Sequence, residues 1–185
     1  MMRFWGNLLG YQAVWFCAVI GAADGLLWPG LLALALFAAW QLYLSQQRSV
    51  ELRLMAVALV CGVLLDGALA LSGLARYVLP EPALPPGGAP LWILALWFSF
   101  ALVLTQSLRY LQKRLWLAAL FGAVGGPLAY LGAAKAWQVV QFQAPAWRGV
   151  LLLAVGWTVA MPLLAGLARH WTAARRSDSS LVEVA

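Results

Sequence analysis

Six long apolar segments dominate the chain, and their length is the feature that most limits how it can fold. Each is close to the roughly 20 residues that a helix needs to cross about 30 Å of hydrocarbon. They lie at 4–23, 27–44, 52–75, 91–112, 115–134 and 149–168. The 185 residues are 64% hydrophobic and 10% charged, whereas a soluble domain is roughly 45–50% apolar and a quarter charged. We therefore predict an all-α fold, a polytopic integral membrane bundle of six transmembrane helices.

The breaks between the segments indicate a single domain. The connections at 23–26, 46–51 and 113–114 are so short that the helices on either side must be antiparallel. A stretch rich in proline and glycine at 80–90 predicts a stiff loop between the third and fourth spans. We assign residues 1–169 to a six-helix transmembrane domain and residues 170–185 to a polar cytoplasmic tail, which we expect to be disordered.

Lysine and arginine residues predict the orientation of the bundle. With a cytoplasmic N-terminus, nine of them fall on the inner side and three, Arg76, Lys135 and Arg148, on the outer side. Because cytoplasmic loops carry the excess of these residues, both termini are expected in the cytoplasm. A cleaved signal peptide is the alternative for residues 1–25, but Asn7, Tyr11 and Gln12 interrupt its apolar stretch.

The net charge of +6 does not indicate nucleic-acid binding, because the basic residues lie mostly at the ends of apolar runs. Membrane lipids are the expected partners, and a second copy of the chain or another membrane protein is a further candidate. Cys17 and Cys61 lack metal-ligand spacing. The sequence contains no HExxH, GxSxG or Gly-rich phosphate loop. We expect no metal and no cofactor, and the balance is against an enzyme.

Asp66 is the only acidic residue far inside an apolar segment. A carboxylate in hydrocarbon costs about 3 kcal/mol or more, so a chain that keeps one normally gives it a partner. Helical spacing puts Asp66 on a face with Gly62, Ala70 and Gly73, which favours close helix packing. The side chain should point into the bundle, roughly 12 Å from the outer boundary. A structural carboxyl bonded to Ser, Gln or Trp and a functional one in ligand binding or proton coupling both remain open.

Other polar and small residues are expected at the same depth and predict a pocket on the outer side. Pro127 should kink the fifth helix and free a carbonyl near Tyr130. Trp92, Ser99 and Gln106 recur every seven residues, so they should form one stripe along the fourth helix. Gly122 and Gly126 favour close packing of the fifth helix. The candidate pocket residues are Asp66, Ser99, Gln106, Gly126, Pro127, Tyr130 and Trp157.

With these landmarks in place, the chain resembles a small family of bacterial inner-membrane proteins, domain of unknown function 2878. The resemblance is carried by FWGNLLGYQAVWF, LLDG around Asp66, PLWILALWFSFALVLTQSLRYL and GGPLAYLGA. It extends to about Arg169 and implies a location in the bacterial inner (plasma) membrane, but no established activity. Members are often encoded beside cyclopropane-fatty-acid-synthase-like proteins, which implies a link to lipid modification or envelope stress.

Three functions are consistent with these observations. The first is a protein that binds or transports a lipid or small amphiphile through an outward-side pocket around Asp66. The second is a membrane-embedded lipid-modifying enzyme or enzyme subunit, with Asp66 as acid or base. The third is a scaffold that holds a membrane partner complex through its small-residue faces.

Overall fold

Six α-helices make up most of the part of the chain that the structure describes. The structure is a computed structural model that describes the backbone of residues 2–182 and the side chains of residues 3–175. The helices are α1 (Met2–Ala23), α2 (Trp28–Leu44), α3 (Arg48–Leu71), α4 (Leu91–Val103), α5 (Leu115–Trp137) and α6 (Trp147–Val182). A short 3-10 helix, Arg109–Lys113, lies between α4 and α5.

Four short strands lie in the loops that follow α3 and α5. They are β1 (Ala75–Tyr77), β2 (Ala83–Leu84), β3 (Ala89–Pro90) and β4 (Val140–Phe142). β2 and β3 form a hairpin within the proline-rich loop. β1 pairs antiparallel with β4, with Ala75 opposite Phe142 and Tyr77 opposite Val140. This pairing brings the C-terminal ends of α3 and α5 to one end of the bundle, which we call the strand end.

Four of the helices are long and apolar enough to cross a membrane: Arg3–Ala23, Arg48–Leu71, Leu115–Trp137 and Trp147–Arg175. Two apolar helices are shorter, Trp28–Leu44 and Leu91–Val103. The fourth span is where the structure differs most from the prediction, because α4 has only 13 residues and ends at Val103. The amides of Gln106 and Leu108 both bond to the carbonyl of Val103, at 3.3 and 2.8 Å. These turns replace the helix that was predicted to continue to residue 112.

The third span is shifted toward the N-terminus relative to the prediction. α3 begins at Arg48, so that Glu51 lies in its first turn, where an acid is stabilised by the helix dipole. The helix ends at Leu71 because Gly73 adopts a left-handed conformation with φ of 69°. The amide of Leu74 then bonds back to the carbonyl of Leu69 at 3.1 Å. Gly73 is therefore a turn residue and does not extend the small-residue face of Asp66.

α6 continues beyond Arg169, the expected end of the last span, to Val182. The predicted tail of residues 170–185 thus begins inside this helix. Its last three residues, 183–185, lie outside the described residues.

Candidate functional site

Asp66 lies on the inner face of α3 and is fully buried, at 0% exposure. The indole of Trp97, from α4, packs against α3 at Gly62, one helical turn before Asp66. A Cβ atom on Gly62 would lie 2.5 to 2.9 Å from the indole atoms of Trp97, closer than real Cβ contacts allow. The absence of a side chain at Gly62 therefore lets Trp97 reach Asp66. The predicted inward orientation of Asp66 and the small-residue contact at Gly62 are both confirmed.

Three side chains donate hydrogen bonds to the Asp66 carboxyl group. Tyr77 and Tyr130 donate their phenol hydroxyls to Oδ1, at 2.8 and 2.7 Å. Trp97 donates its indole N–H to Oδ2 at 2.7 Å. Arg76 and Lys135, two of the basic residues expected on the outer side, are both exposed. Asp66 is thus held by neutral aromatic donors from three different parts of the chain.

Tyr77 reaches Asp66 because the pairing of β1 with β4 folds the chain back over the end of α3. Tyr77 lies opposite Val140 in this two-stranded sheet and is 7% exposed. Trp92 supports the turn by donating its indole N–H to the carbonyl of Val78 at 3.1 Å. Burial, with the charge and hydrogen bond of Asp66, raises the pKa of Tyr77 well above its ordinary value. The phenol therefore remains a donor at neutral pH.

The indole of Trp97 also forms part of an aromatic stack. It lies on Trp157 of α6, with ring centroids 4.2 Å apart and 9° between the planes. Phe100 meets Trp157 edge to face, with centroids 5.1 Å apart. Gly122 and Gly126 of α5 make room for Trp157, since a Cβ at Gly122 would overlap its backbone carbonyl and one at Gly126 its indole ring. The predicted close packing at Gly122 and Gly126 is confirmed, and its partner is α6.

A cavity of about 200 Å³ adjoins this stack, between α1, α4, α5 and α6. Its lining is apolar and rich in aromatic rings and glycines: Tyr11, Trp15, Trp92, Ile93, Leu96, Trp97, Phe100, Leu108, Phe121, Gly122, Gly125, Gly126, Ala129, Tyr130, Ala133, Val140, Trp157 and Met161. Trp157 supplies a buried indole N–H that has no hydrogen-bond partner among the described residues. Phe121 and Gly125 are exposed, so the cavity borders the outer surface of α5.

The structure brings part of the predicted pocket together. Gly126, Tyr130 and Trp157 line the cavity, and Asp66 is bonded to the Tyr130 hydroxyl in its wall. Ser99 and Pro127 are buried but do not line the cavity. The Ser99 hydroxyl donates to the carbonyl of Leu96 at 2.9 Å within its own helix.

Gln106 lies elsewhere, and the predicted stripe of Trp92, Ser99 and Gln106 along one helix is wrong. α4 ends at Val103, so Gln106 falls in the turns beyond it and not on the helical face. It borders a small space with Arg3 and Gln41, away from the lining of the main cavity.

Three residues in buried polar contacts could not be assigned from the sequence. Tyr77 lies in a loop, and only strand pairing brings it to Asp66. A tryptophan was among the expected partners of Asp66, but the sequence did not identify it as Trp97. Glu51 was placed in a connection between spans but is buried in α3, where it bonds to Gln41 and Thr105. Its position in the first turn of a helix is the one local signal that could have pointed to it.

The arrangement around Asp66 is suited to holding neutral groups in fixed positions. No group of three or more His, Cys, Asp or Glu side chains suited to a metal ion occurs among the described residues. A carboxyl that accepts three donors and adjoins an apolar cavity can orient the cavity wall. Its hydrogen-bond partners are two phenols and one indole, all of which donate to it.

No curated protein and no solved structure matches the chain. Residues 4–163 match a family described as "Protein of unknown function (DUF2878)". Because this match spans most of the chain, the protein belongs to the DUF2878 family.

Proposed function

We propose that the protein binds a lipid or small amphiphile in the cavity between α1, α4, α5 and α6. The observation that carries the proposal is the apolar, aromatic lining of a cavity that borders the exposed outer surface of α5. An apolar cavity of about 150 Å³ accommodates benzene. A cavity of about 200 Å³ therefore suits a short stretch of alkyl chain or a small ring.

The positions of two exposed residues in the cavity lining suggest that a ligand enters from the side of the bundle. Phe121 is 45% exposed and Gly125 is also exposed, yet both line the cavity. Toward the strand end, Trp137 of α5 contacts Trp15 of α1, with centroids 5.7 Å apart. A hydrophobic ligand would therefore enter between α1 and α5, from the hydrocarbon side and not from the loops.

All six helices are proposed to cross the membrane, including the two shorter ones. The supporting argument is connectivity. The pairing of β1 with β4 fixes the C-terminal ends of α3 and α5 at the strand end, so α5 must begin at the opposite end. The chain between them has to return through α4 and the 3-10 helix Arg109–Lys113. By the same reasoning, α2 leads from the strand end to the start of α3.

We propose a bacterial inner (plasma) membrane location with both termini in the cytoplasm, on the excess of basic residues at the end opposite the strands. Reporter fusions after Arg114 and at the C-terminus would measure which side of the membrane each position faces. A periplasmic signal at either fusion would overturn this orientation.

Photo-crosslinking would measure binding in the cavity. The probe is phosphatidylethanolamine with a diazirine in one acyl chain, incorporated into vesicles with the purified full-length protein. We expect adducts concentrated on α1 near Tyr11 and on α5 near Phe121. Labelling spread evenly over exposed apolar residues such as Leu32 and Leu36 would overturn the proposal.

A matched pair of variants distinguishes the cavity from the general lipid surface. Gly125 lines the cavity and Gly132 does not, but both lie on α5 with no atom within 4 Å of an added Cβ. Gly125→Leu should fill the mouth of the cavity and remove the concentrated adducts, whereas Gly132→Leu should leave them. Equal labelling of the two variants would contradict a cavity site.

A membrane-embedded lipid-modifying enzyme is the second candidate, and it rests on Asp66 as acid or base. The hydrogen bonds that Tyr77, Tyr130 and Trp97 donate to both carboxyl oxygens favour binding over catalysis. Lipid analysis of a deletion strain, with and without oxidative stress, would separate these functions. A changed chemical composition of the lipids would favour the enzyme.

A further inference from the structure

A second set of buried polar side chains lies at the end of the bundle opposite the strands, where α4 ends. We call it the Glu51 cluster; its members are 0 to 8% exposed and are Asn7, Gln41, Glu51, Thr105 and Ser107. They come from α1, α2, α3 and the turns that follow α4. The cluster is distinct from the Asp66 site and plays no part in the proposed amphiphile binding.

The hydrogen bonds in the cluster have a direction, which the backbone fixes. The amide N–H of Ser107 donates to Asn7 Oδ1 at 3.3 Å, so the Asn7 amide nitrogen faces the other way. Asn7 Nδ2 donates to Gln41 Oε1 at 3.2 Å, and Gln41 Nε2 in turn donates to Glu51 Oε1 at 3.2 Å. The chain of donors therefore ends on the Glu51 carboxyl.

Glu51 itself is only half satisfied. Its Oε1 accepts from Gln41 and, at 2.9 Å, from the Thr105 hydroxyl. Its Oε2 is buried and has no hydrogen-bond partner among the described residues. An acceptor oxygen left in this state inside a membrane protein is strongly disfavoured unless a hydrogen-bond donor or a positive group binds it.

Neighbouring charged side chains do not supply that positive group. Arg48 donates to the backbone carbonyls of Leu42 and Tyr43. The guanidinium of Arg53 lies 6.0 Å from the centroid of Trp171. Arg3 borders a space of about 10 Å³ beside Gln41, which is the size of a single water. The other acids within residues 3–175 are Asp24, Asp66 and Glu81, none of which belongs to this cluster.

The interruption of α4 adds oxygen atoms at the same place. The carbonyl of Leu102 accepts from Asn7 Nδ2 at 3.2 Å. It also lies 3.4 Å from Thr105 Oγ1, whose proton is donated to Glu51 at the shorter distance of 2.9 Å. In membrane transporters, broken helices place backbone carbonyls and helix ends around bound sodium ions or protons. A single carboxylate with neutral oxygens suits one positive charge better than two.

We propose that Glu51 Oε2, together with the Thr105 hydroxyl oxygen, binds a sodium ion. Binding neutralises the carboxylate and joins α1, α2 and α3 to the interrupted α4. The site is therefore expected to stabilise the folded bundle.

The experiment measures the Tm of the purified full chain in detergent while sodium replaces choline at constant ionic strength and pH. The Tm of the wild type should rise by roughly 5–10 °C at about 100 times the Kd. Glu51→Gln should abolish that rise, whereas Glu81→Gln, at an exposed acid in the loop, should retain it.

Identical sodium responses of Tm in wild type and Glu51→Gln, including no rise in either, would overturn the proposal. Should Glu51→Gln fail to fold, Thr105→Val keeps the carboxyl group and removes one oxygen ligand. We then expect the half-saturating sodium concentration to rise about tenfold. An unchanged response in Thr105→Val would overturn the site.

Discussion

The indole of Trp97 stacks on that of Trp157 at 4.2 Å between ring centroids and donates its N–H to Asp66 at 2.7 Å. One side chain therefore joins the buried carboxyl of α3 to the wall of the cavity on α6. Because Trp157 also lies against Gly122 and Gly126, α3, α4, α5 and α6 meet around these two rings. A substitution of Asp66 should consequently alter the wall of the cavity, although Asp66 does not line it.

Trp97→Phe separates the hydrogen bond from the ring packing. The phenyl ring retains much of the contact with Trp157 but leaves Asp66 Oδ2 without its donor. Loss of a partner from a buried polar group costs about 1–3 kcal/mol, so the free energy of unfolding should fall by that amount. Denaturation of the purified protein in mixed micelles measures it. Trp28→Phe, at a tryptophan that is 62% exposed, should change stability little.

Tyr77 and Tyr130 donate to the same oxygen, and their contributions should be coupled. Tyr77→Phe or Tyr130→Phe leaves Oδ1 with one donor, so each single variant should cost about 1 kcal/mol. The double variant leaves that oxygen with none and should cost more than the two single effects together. A double-mutant cycle on unfolding free energies provides the measurement. Strict additivity would show that the two phenols act independently.

The sequence predicted the parts of this site that helical spacing controls. Gly62 lies four residues before Asp66, so both had to share a face of any helix through this segment. Gly122 and Gly126 have the same spacing, and they contact α6 at Trp157. The start of α4 at Leu91 and the start of α5 at Leu115 also coincide with the predicted starts of spans. Apolar periodicity and small residues were sufficient for these features.

Long-range contacts account for what the sequence did not predict. Gln106 was extrapolated along a helix that stops at Val103, because the residues beyond it bond to other elements. Ser107 and Thr105 bond to Asn7 and Glu51, which are far away in the sequence. The mean hydropathy of a sequence window cannot predict such contacts, since the segment 104–112 remains largely apolar. Tyr77 was missed for the same reason, since it reaches Asp66 only through pairing with β4.

Asp66→Asn is expected to disturb the cavity wall as well as the carboxyl site. An asparagine can keep one oxygen toward Tyr77 and Tyr130, but its NH₂ group then faces the indole N–H of Trp97, and two donors oppose each other. Stability should fall by about 1–3 kcal/mol, with reduced crosslinking of the acyl-chain probe. The control is Asp24→Asn, at an exposed acid between α1 and α2. If the Asp66→Asn variant is crosslinked as strongly as the wild type, the cavity does not depend on this carboxyl group.

Gly122→Ala tests the contact between α5 and α6 directly. An added methyl at Gly122 would overlap the backbone carbonyl of Trp157, and a backbone atom cannot move aside as a flexible side chain can. The two helices must separate, so we expect a loss of about 1–3 kcal/mol, typical of an overpacked interior. Gly132→Ala on the same helix has no atom within 4 Å of the new Cβ. It should be neutral or stabilise the helix by up to about 1 kcal/mol.

Thermal unfolding of both variants, with tryptophan fluorescence as the probe, gives the comparison. A Gly122→Ala variant as stable as Gly132→Ala would contradict the close approach of α5 and α6.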